Sequence, residues 1–181
     1  AVAAASIAQV HRAEVESAGV RRLVAVKVLR PNVAQSFKVD LDALMFAARQ
    51  MEALSIEARR LRLTEIVRTL TRSVAMEMDL RLEAAALSEM AENTRNDPDF
   101  YVPVVEWNYT GHDVLTMEWI DGISLNDHAR LAQSHVDLPD LARKIIQSFL
   151  RHALRDGFFH ADMHPGNLFV DNAGRLVAVD F

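Results

Sequence analysis

The chain has 181 residues, half of them apolar, and a formal net charge of -5. That is enough apolar material for a packed core in one domain or two small lobes, and its scattered cations give no electrostatic footprint for nucleic acid. Cysteine is absent, which excludes disulfides and zinc-thiolate sites and restricts any metal to oxygen or imidazole ligands, and no apolar run reaches the roughly 18 residues of a membrane span.

The chain opens on AVAAASIAQV rather than on methionine and closes on LVAVDF, a strand-like run with no turn behind it, so a fragment of a longer protein is expected. Residues 6–15 and 23–29 are β-branched and apolar with partial alternation, and Ser17, Ala18 and Gly19 lie between them, which predicts a β-hairpin. Pro31 and Asn32 break the second strand and open a helix with Phe37, Leu41, Leu44, Met45, Ala48 and Met51 at helical spacing. A second helix is expected from Thr64 to about Glu92, carried by Ile66, Val67, Leu70, Val74 and Met78 and ended by Asn96, Asp97 and Pro98. Residues 101–109 and 113–120 read as two further strands joined at Thr110 and Gly111, with a bend at Gly122. Pro139 starts a helix with a stripe of Leu141, Ile145, Phe149 and Ala153, stopped by Gly157, and residues 168–170 and 176–179 are short strands around a turn at 171–174.

The stretch HADMHPGN at 160–167 admits three readings. His160, Asp162 and His164 alternate and would share one face of an extended segment, as metal ligands of a hydrolase do, although Pro165 and Gly166 turn the chain at once. Asp162 and Asn167, five residues apart between a helix and a strand, match the loop of phosphotransfer enzymes, in which the aspartate takes or orients a proton and the asparagine holds magnesium; Asp180, at the end of the next apolar run, then matches the second magnesium ligand. The third reading has Asp162 and Asn167 only satisfying a tight loop.

In VAVKVL, alternation puts Val24, Val26 and Val28 on one face and Ala25, Lys27 and Leu29 on the other. A lysine among apolar neighbours either snorkels to solvent or meets a phosphate or carboxylate, and V-A-V-K matches the kinase lysine pattern. Carboxylates are available in EMDLRLE: on a continuous helix Asp79 and Glu83 share a face, a repulsive spacing that suits a cation opposite, while Glu77 pairs with Arg81. No G-x-G-x-x-G loop exists, the glycines standing at 19, 111, 122, 157, 166 and 174; AAASIAQVH occupies the place of such a loop, and its Cβ atoms limit approach to a phosphate.

Together AAASIAQVH (3–11), VAVKVLRP (24–31), EMDLRLEA (77–84), LTMEWIDG (115–122), HADMHPGN (160–167) and VDF (179–181) closely resemble the UbiB family of atypical, protein-kinase-like proteins, also called aarF-domain-containing kinases. The resemblance implies an α+β, bilobal protein-kinase-like fold, with residues 1–121 as the N-lobe and 122–181 as part of the C-lobe. It implies ATP and Mg2+ as cofactors, catalytic roles for Asp162, Lys27 and Glu83, and metal binding by Asn167 and Asp180. Around the nucleotide it places Ala3, Ala4, Ala5, Ser6, Ala25, Lys27, Glu118 and Ile120. Glu77 and Asp79 are the family's E-x-D pair, and His160 and His164 shape the loop. The resemblance further implies support of ubiquinone biosynthesis by ATP hydrolysis or by phosphorylation of a lipid or small molecule, with quinone-pathway proteins as partners. Membrane association through segments outside this sequence would place it at the cytoplasmic face of a bacterial inner membrane. The rival readings are a nucleotide-binding pseudokinase module and, more remotely, the His/Asp metallohydrolase.

Overall fold

The computed structural model of the chain describes residues 2–4, 7–17 and 19–180. In chain order the strands are β1 (Ala3–Ala4), β2 (Ala8–Ser17), β3 (Val20–Leu29), β4 (Phe100–Tyr101), β5 (Val114–Glu118), β6 (Gly122–Ser124), β7 (Leu168–Asp171) and β8 (Leu176–Ala178). The α-helices are α1 (Val33–Leu54), α2 (Ile56–Leu61), α3 (Leu63–Glu77), α4 (Leu80–Asn93), α5 (His128–Gln133) and α6 (Leu138–Arg151). The described strands make two four-stranded sheets, ordered β1-β2-β3-β5 and β4-β8-β7-β6.

The expected hairpin forms, with β2 and β3 antiparallel from Ala8 opposite Leu29 to Ser17 opposite Val20. Gly19 turns it at φ 76, a conformation a glycine adopts at little cost; Ala18 of the expected turn lies outside the described residues. On its other side β3 pairs with β5, with Ala25 opposite Met117 and Lys27 opposite Leu115. Cross-strand partners share a face, so Lys27 is carried to the side on which Ala25, Leu115 and Met117 enter the core.

The helix expected from 64 to 92 is two helices. At Asp79 the backbone is extended, φ -105 and ψ 91, and the side chain accepts from Arg81 N at 3.1 Å as the N-cap of α4. Leu80 N, without an intrahelical acceptor there, donates to His112 O at 2.9 Å, and the Leu80 side chain is buried in the core. An aspartate that bonds its own backbone competes with helix continuation, which the apolar periodicity did not register. The strand expected at 101–109 also differs. Only Phe100–Tyr101 is strand, and it pairs in parallel with β8; Pro103, with no N–H to donate, is followed by a single bridge from Val105 to Met117 and a 3-10 turn at Trp107–Tyr109. The short helices α2 and α5, unmarked in the apolar pattern, start at Ser55 and Asp127, whose side chains accept from Ala58 N and Arg130 N.

One core cluster runs through both sheets: Ala25, Leu115 and Met117 of the first, Leu80, Ala84, Leu87 and Met90 along α4, and Leu168, Val170, Leu176 and Ala178 of the second. The segment between α4 and β4 is fastened to α6 and the π-turn behind it. Asp97 accepts from Arg155 at 2.7 Å and lies 3.2 Å from His152 Nε2, and Asp99 accepts from Arg151 at 2.9 Å. His152 is buried, its ring edge-on to Phe100 at 4.6 Å.

At Gly122, where β6 meets β7, an added Cβ would lie 2.7 Å from the carbonyl oxygen of Val170. Backbone cannot yield as a side chain can, so Gly122→Ala should cost about 2 kcal/mol or more. Denaturant unfolding checks this. A pH dependence follows from the Asp97–His152 cluster. Burial pulls His152 below its ordinary value against the attraction of Asp97. Asp97 is lowered because its bonds to Arg155 and His152 outweigh its burial, and Asp99 because of Arg151. The unfolded chain therefore takes up protons at higher pH than the folded one: stability should fall below about pH 6.5 through His152 and again below about pH 4 through the aspartates. The melting temperature of His152→Gln should decline less between pH 7 and 5 than that of the wild type; parallel declines would refute the assignment.

Candidate functional site

Lys27 sits at the centre. Its side chain is 10% exposed, and Nζ lies 2.8 Å from both carboxylate oxygens of Glu83 and 2.8 Å from Oδ1 of Asp180. Of the outcomes the sequence left open for this lysine, solvent, phosphate or carboxylate, the structure shows a carboxylate, that of Glu83, one turn into α4. Asp180 was expected as a metal ligand; its contact with Lys27 was not foreseen, because only the tertiary fold brings residues 153 positions apart together. One ammonium thus serves two carboxylates. Burial depresses the lysine, but attraction to Glu83 and Asp180 outweighs it and holds Lys27 above its ordinary value. Burial pushes Glu83 up to about 7, with Asp180 adding to the rise and Lys27 opposing it.

Glu77 and Asp79 take places other than those expected. The break before α4 puts Asp79 at the cap, bound through two oxygens to Arg81 at 2.8 and 2.7 Å, so Arg81 pairs with Asp79 and not with Glu77. Its hydrogen bond from Arg81 brings Asp79 down to about 2. Glu77 is exposed in the last turn of α3. Asp79 and Glu83 do not share a helix face with one cation opposite, since Asp79 stands before the first turn of α4.

The loop after α6 is built by its histidines. Gly157, at φ 65, ends the helical run. The buried His160 accepts from Asp162 N at 3.2 Å, and His164 accepts from Gly166 N at 3.1 Å, each through Nδ1. Asn167 donates through Nδ2 to Asp162 O at 3.2 Å and Oδ2 at 3.4 Å, while its backbone carbonyl accepts from Val179 N at 3.0 Å, tying the loop to the segment that carries Asp180. Among the described residues no group of three or more His, Asp or Glu side chains is placed to hold a metal ion.

Between the sheets lies a cleft of about 1100 Å³. Of the residues singled out in the sequence it is lined by Ala25, Lys27, Glu118, Ile120, His164, Asn167 and Asp180; Asp162 stands beside it, bonded to Asn167. Ala3 and Ala4 form β1, against Val10 and Gln9 of β2, and Ala5 and Ser6 lie outside the described residues. Glu118 contributes less than its charge suggests. Its carboxylate is committed to Tyr101 Oη at 2.6 Å, and burial and that carboxylate push the phenol up to about 12. Sequence reasoning missed Trp119, which lines the cleft, donates to Asp121 at 3.0 Å and stacks under the Arg12 guanidinium at 5.2 Å. Its position directly after the LTME strand was the available signal. Arg130 and Asn126 also line the cleft and carried no motif.

The chain that carries this cleft has relatives among known families and structures. The ABC1 atypical kinase-like domain matches residues 1–181. The chain belongs to this family. Proteins named probable protein kinase UbiB match nearly the whole ABC1-like chain: that of Marinobacter nauticus is 39% identical over 184 residues, covering 99% of this chain and 33% of its own length. That of Pseudomonas aeruginosa PAO1 is 40% identical over 183 residues, covering 99% and 34%. The chain thus spans about a third of the length of these curated relatives. A Mycobacterium tuberculosis structure, a complex of Rv3197 with erythromycin, superposes with a TM-score of 0.77 at 32% identity, covering 99% of this chain and 44% of that one. The mixed α+β architecture of the ABC1-like chain is accordingly protein-kinase-like.

Lys27→Ala leaves Glu83 and Asp180 facing each other without a cation. It is expected to lower the stability of the ligand-free protein by about 3 kcal/mol, moderated by proton uptake at Glu83. Urea unfolding reads this out, and an unchanged midpoint would show that the triad adds no stability.

Proposed function

We propose that the cleft binds Mg-ATP and that the protein hydrolyses it or transfers its γ-phosphoryl group to a lipid or small molecule, in support of ubiquinone biosynthesis. The observation that carries this reading is the convergence of Lys27, Asn167 and Asp180 on one cleft, with Asp162 bonded to Asn167 at its edge. Lys27, fixed by Glu83, presents a cation to the nucleotide's phosphates. The residues fit a magnesium ion: Asn167 turns its Nδ2 to Asp162 and so keeps its amide oxygen for a cation, and Asp180 is a second hard oxygen donor, partly exposed. Magnesium needs no more from a protein when substrate phosphates complete its shell. Bound there, it would neutralise charge developing on the transferred group.

Asp162 is the proposed general base or orienting group. Its backbone N–H bonded to His160 and its carboxylate bonded to Asn167 hold it in place. Ala25 and Met117 floor the cleft, and Trp119 and Ile120 wall it where a nucleobase would lie. Residues 1–121 and 122–181 act in this proposal as two lobes. An attachment at the cytoplasmic face of a bacterial inner membrane, and quinone-pathway partners, belong to the same proposal.

ATP turnover in magnesium, measured for wild type and Asp162→Asn with nucleotide binding recorded for both, tests the reading. Turnover should fall by roughly a hundredfold or more in Asp162→Asn, with binding changed less than about threefold. Wild-type binding without turnover would favour the pseudokinase switch; no binding would end the nucleotide reading.

A further inference from the structure

Residues 119–121 carry the chain from the first sheet to the second and, with Glu118 and Gly122 at their ends, line the cleft. A second crossing runs beside them. It leaves β4 in the second sheet and reaches residues 104–106, where Val105 bridges to Met117 and Val104 O accepts from Glu118 N at 2.8 Å. One side chain joins the two crossings: Tyr101 Oη donates to Glu118 Oε2 at 2.6 Å, and the same oxygen accepts from Val104 N at 3.4 Å. The nucleotide reading gives Tyr101 no role.

The phenol is held in place by its own sheet. Tyr101 sits in β4 opposite Val177 of β8, and the Arg175 guanidinium covers its ring at 4.4 Å. Asp171 fixes Arg175, accepting from its backbone N at 2.9 Å and from its Nε at 2.7 Å. Asp171 is also the residue opposite Gly122 where β7 pairs with β6. The segment 119–121 is therefore gripped at both ends from the second sheet, at Glu118 through Tyr101 and at Gly122 through β7, and Arg175 couples the two grips. A length of 2.6 Å is that of a charge-assisted O–H···O− bond. Burial and the Glu118 carboxylate push the phenol up to about 12, so it keeps the proton it donates.

We propose that Tyr101 is a positioning residue for the nucleobase: by holding Glu118 it fixes residues 118–120, the wall of the cleft that a base would meet. The proposal rests on the nucleotide reading and adds to it a residue that does not itself line the cleft. A wall free to shift must be ordered when a ligand binds, and that ordering is subtracted from affinity; a wall already held has lost the freedom beforehand. Removing the phenol oxygen should thus weaken binding while Lys27, Asp162, Asn167 and Asp180 stay untouched. Were Glu118 instead a direct ligand of the nucleotide, its charge would matter and Tyr101 would not.

The test uses the full chain, with ATP affinity in magnesium measured by calorimetry and amide hydrogen exchange followed without nucleotide. Tyr101→Phe keeps the ring under Arg175 and loses only the donor. Its affinity should fall about tenfold, as should that of Glu118→Leu, and the double variant should lose no more than either alone. Glu118→Gln, which keeps an oxygen to accept from Tyr101, should lose no more than about threefold. In Tyr101→Phe, exchange should quicken at 104–106 and 118–120 while the β2–β3 hairpin and α6 keep their wild-type rates. Should Glu118→Leu fail to fold, which melting would show, Tyr101→Phe and Glu118→Gln decide the question. No ATP binding by the wild type would end the nucleotide reading and this proposal with it. Unchanged affinity in Tyr101→Phe, faster exchange throughout both sheets, or a loss in Glu118→Gln as large as in Glu118→Leu would overturn the proposal and leave the nucleotide reading standing.

Discussion

A single ammonium, that of Lys27, joins three parts of this protein that the chain keeps far apart. β3 supplies the lysine, α4 supplies Glu83, and the segment after β8 supplies Asp180, all within 2.8 Å of one nitrogen. An unpaired charge at that depth would be prohibitive, so the position of α4 against the first sheet, and of the second sheet against α4, is tied to this contact. Two carboxylates also exceed one cation. A positive group entering the cleft beside Asp180 would relieve the crowding, which gives a bound metal ion an electrostatic welcome that a neutral ligand lacks.

The pairing depends in turn on how α4 begins. Asp79 stops α3 with its own cap, and the buried Leu80 pins the first turn of α4 through a bond to His112. Glu83 then falls one turn later, in reach of Lys27, while Ala84, Leu87 and Met90 follow into the common core. A continuous helix through 64–92 would have presented Asp79 as well as Glu83 to the same side. The break leaves one carboxylate from this helix inside and turns the other to Arg81.

Both sheets are held in fixed relation along a second line. The chain between α4 and β5 passes from the ion cluster of Asp97 and Asp99 through β4, paired with β8, to Val105, bridged to Met117. Tyr101 reinforces it by donating to Glu118, with the Arg175 guanidinium 4.4 Å over its ring. The cleft is thereby bounded on one side by a braced strap and on the other by the His160–Asn167 loop. The α1–α3 hairpin stands outside this frame and joins it through α4.

The sequence by itself determined the β2–β3 hairpin, the helix pattern of α1 and α6, and the residue types of the site. Those signals are local: alternation, helical spacing, a proline or glycine at an end, and Asp-x-x-x-x-Asn with a later aspartate. Asn167 and Lys27 could be named from such spacing, and Glu83 only as one of three carboxylates. What the tertiary structure alone decided was which of them meet. Phe100 and Tyr101 joined the second sheet rather than the first because β8 offered a parallel partner and Pro103 could not continue an antiparallel ladder. Glu118 turned to Tyr101, Asp79 turned to its own helix end, and Asp180 reached back across 153 residues to Lys27. Each of these last three outcomes satisfies a carboxylate that is at least partly buried, and such a pairing belongs to the packed structure, where the cost of an unmatched charge is high, and not to any short stretch of chain.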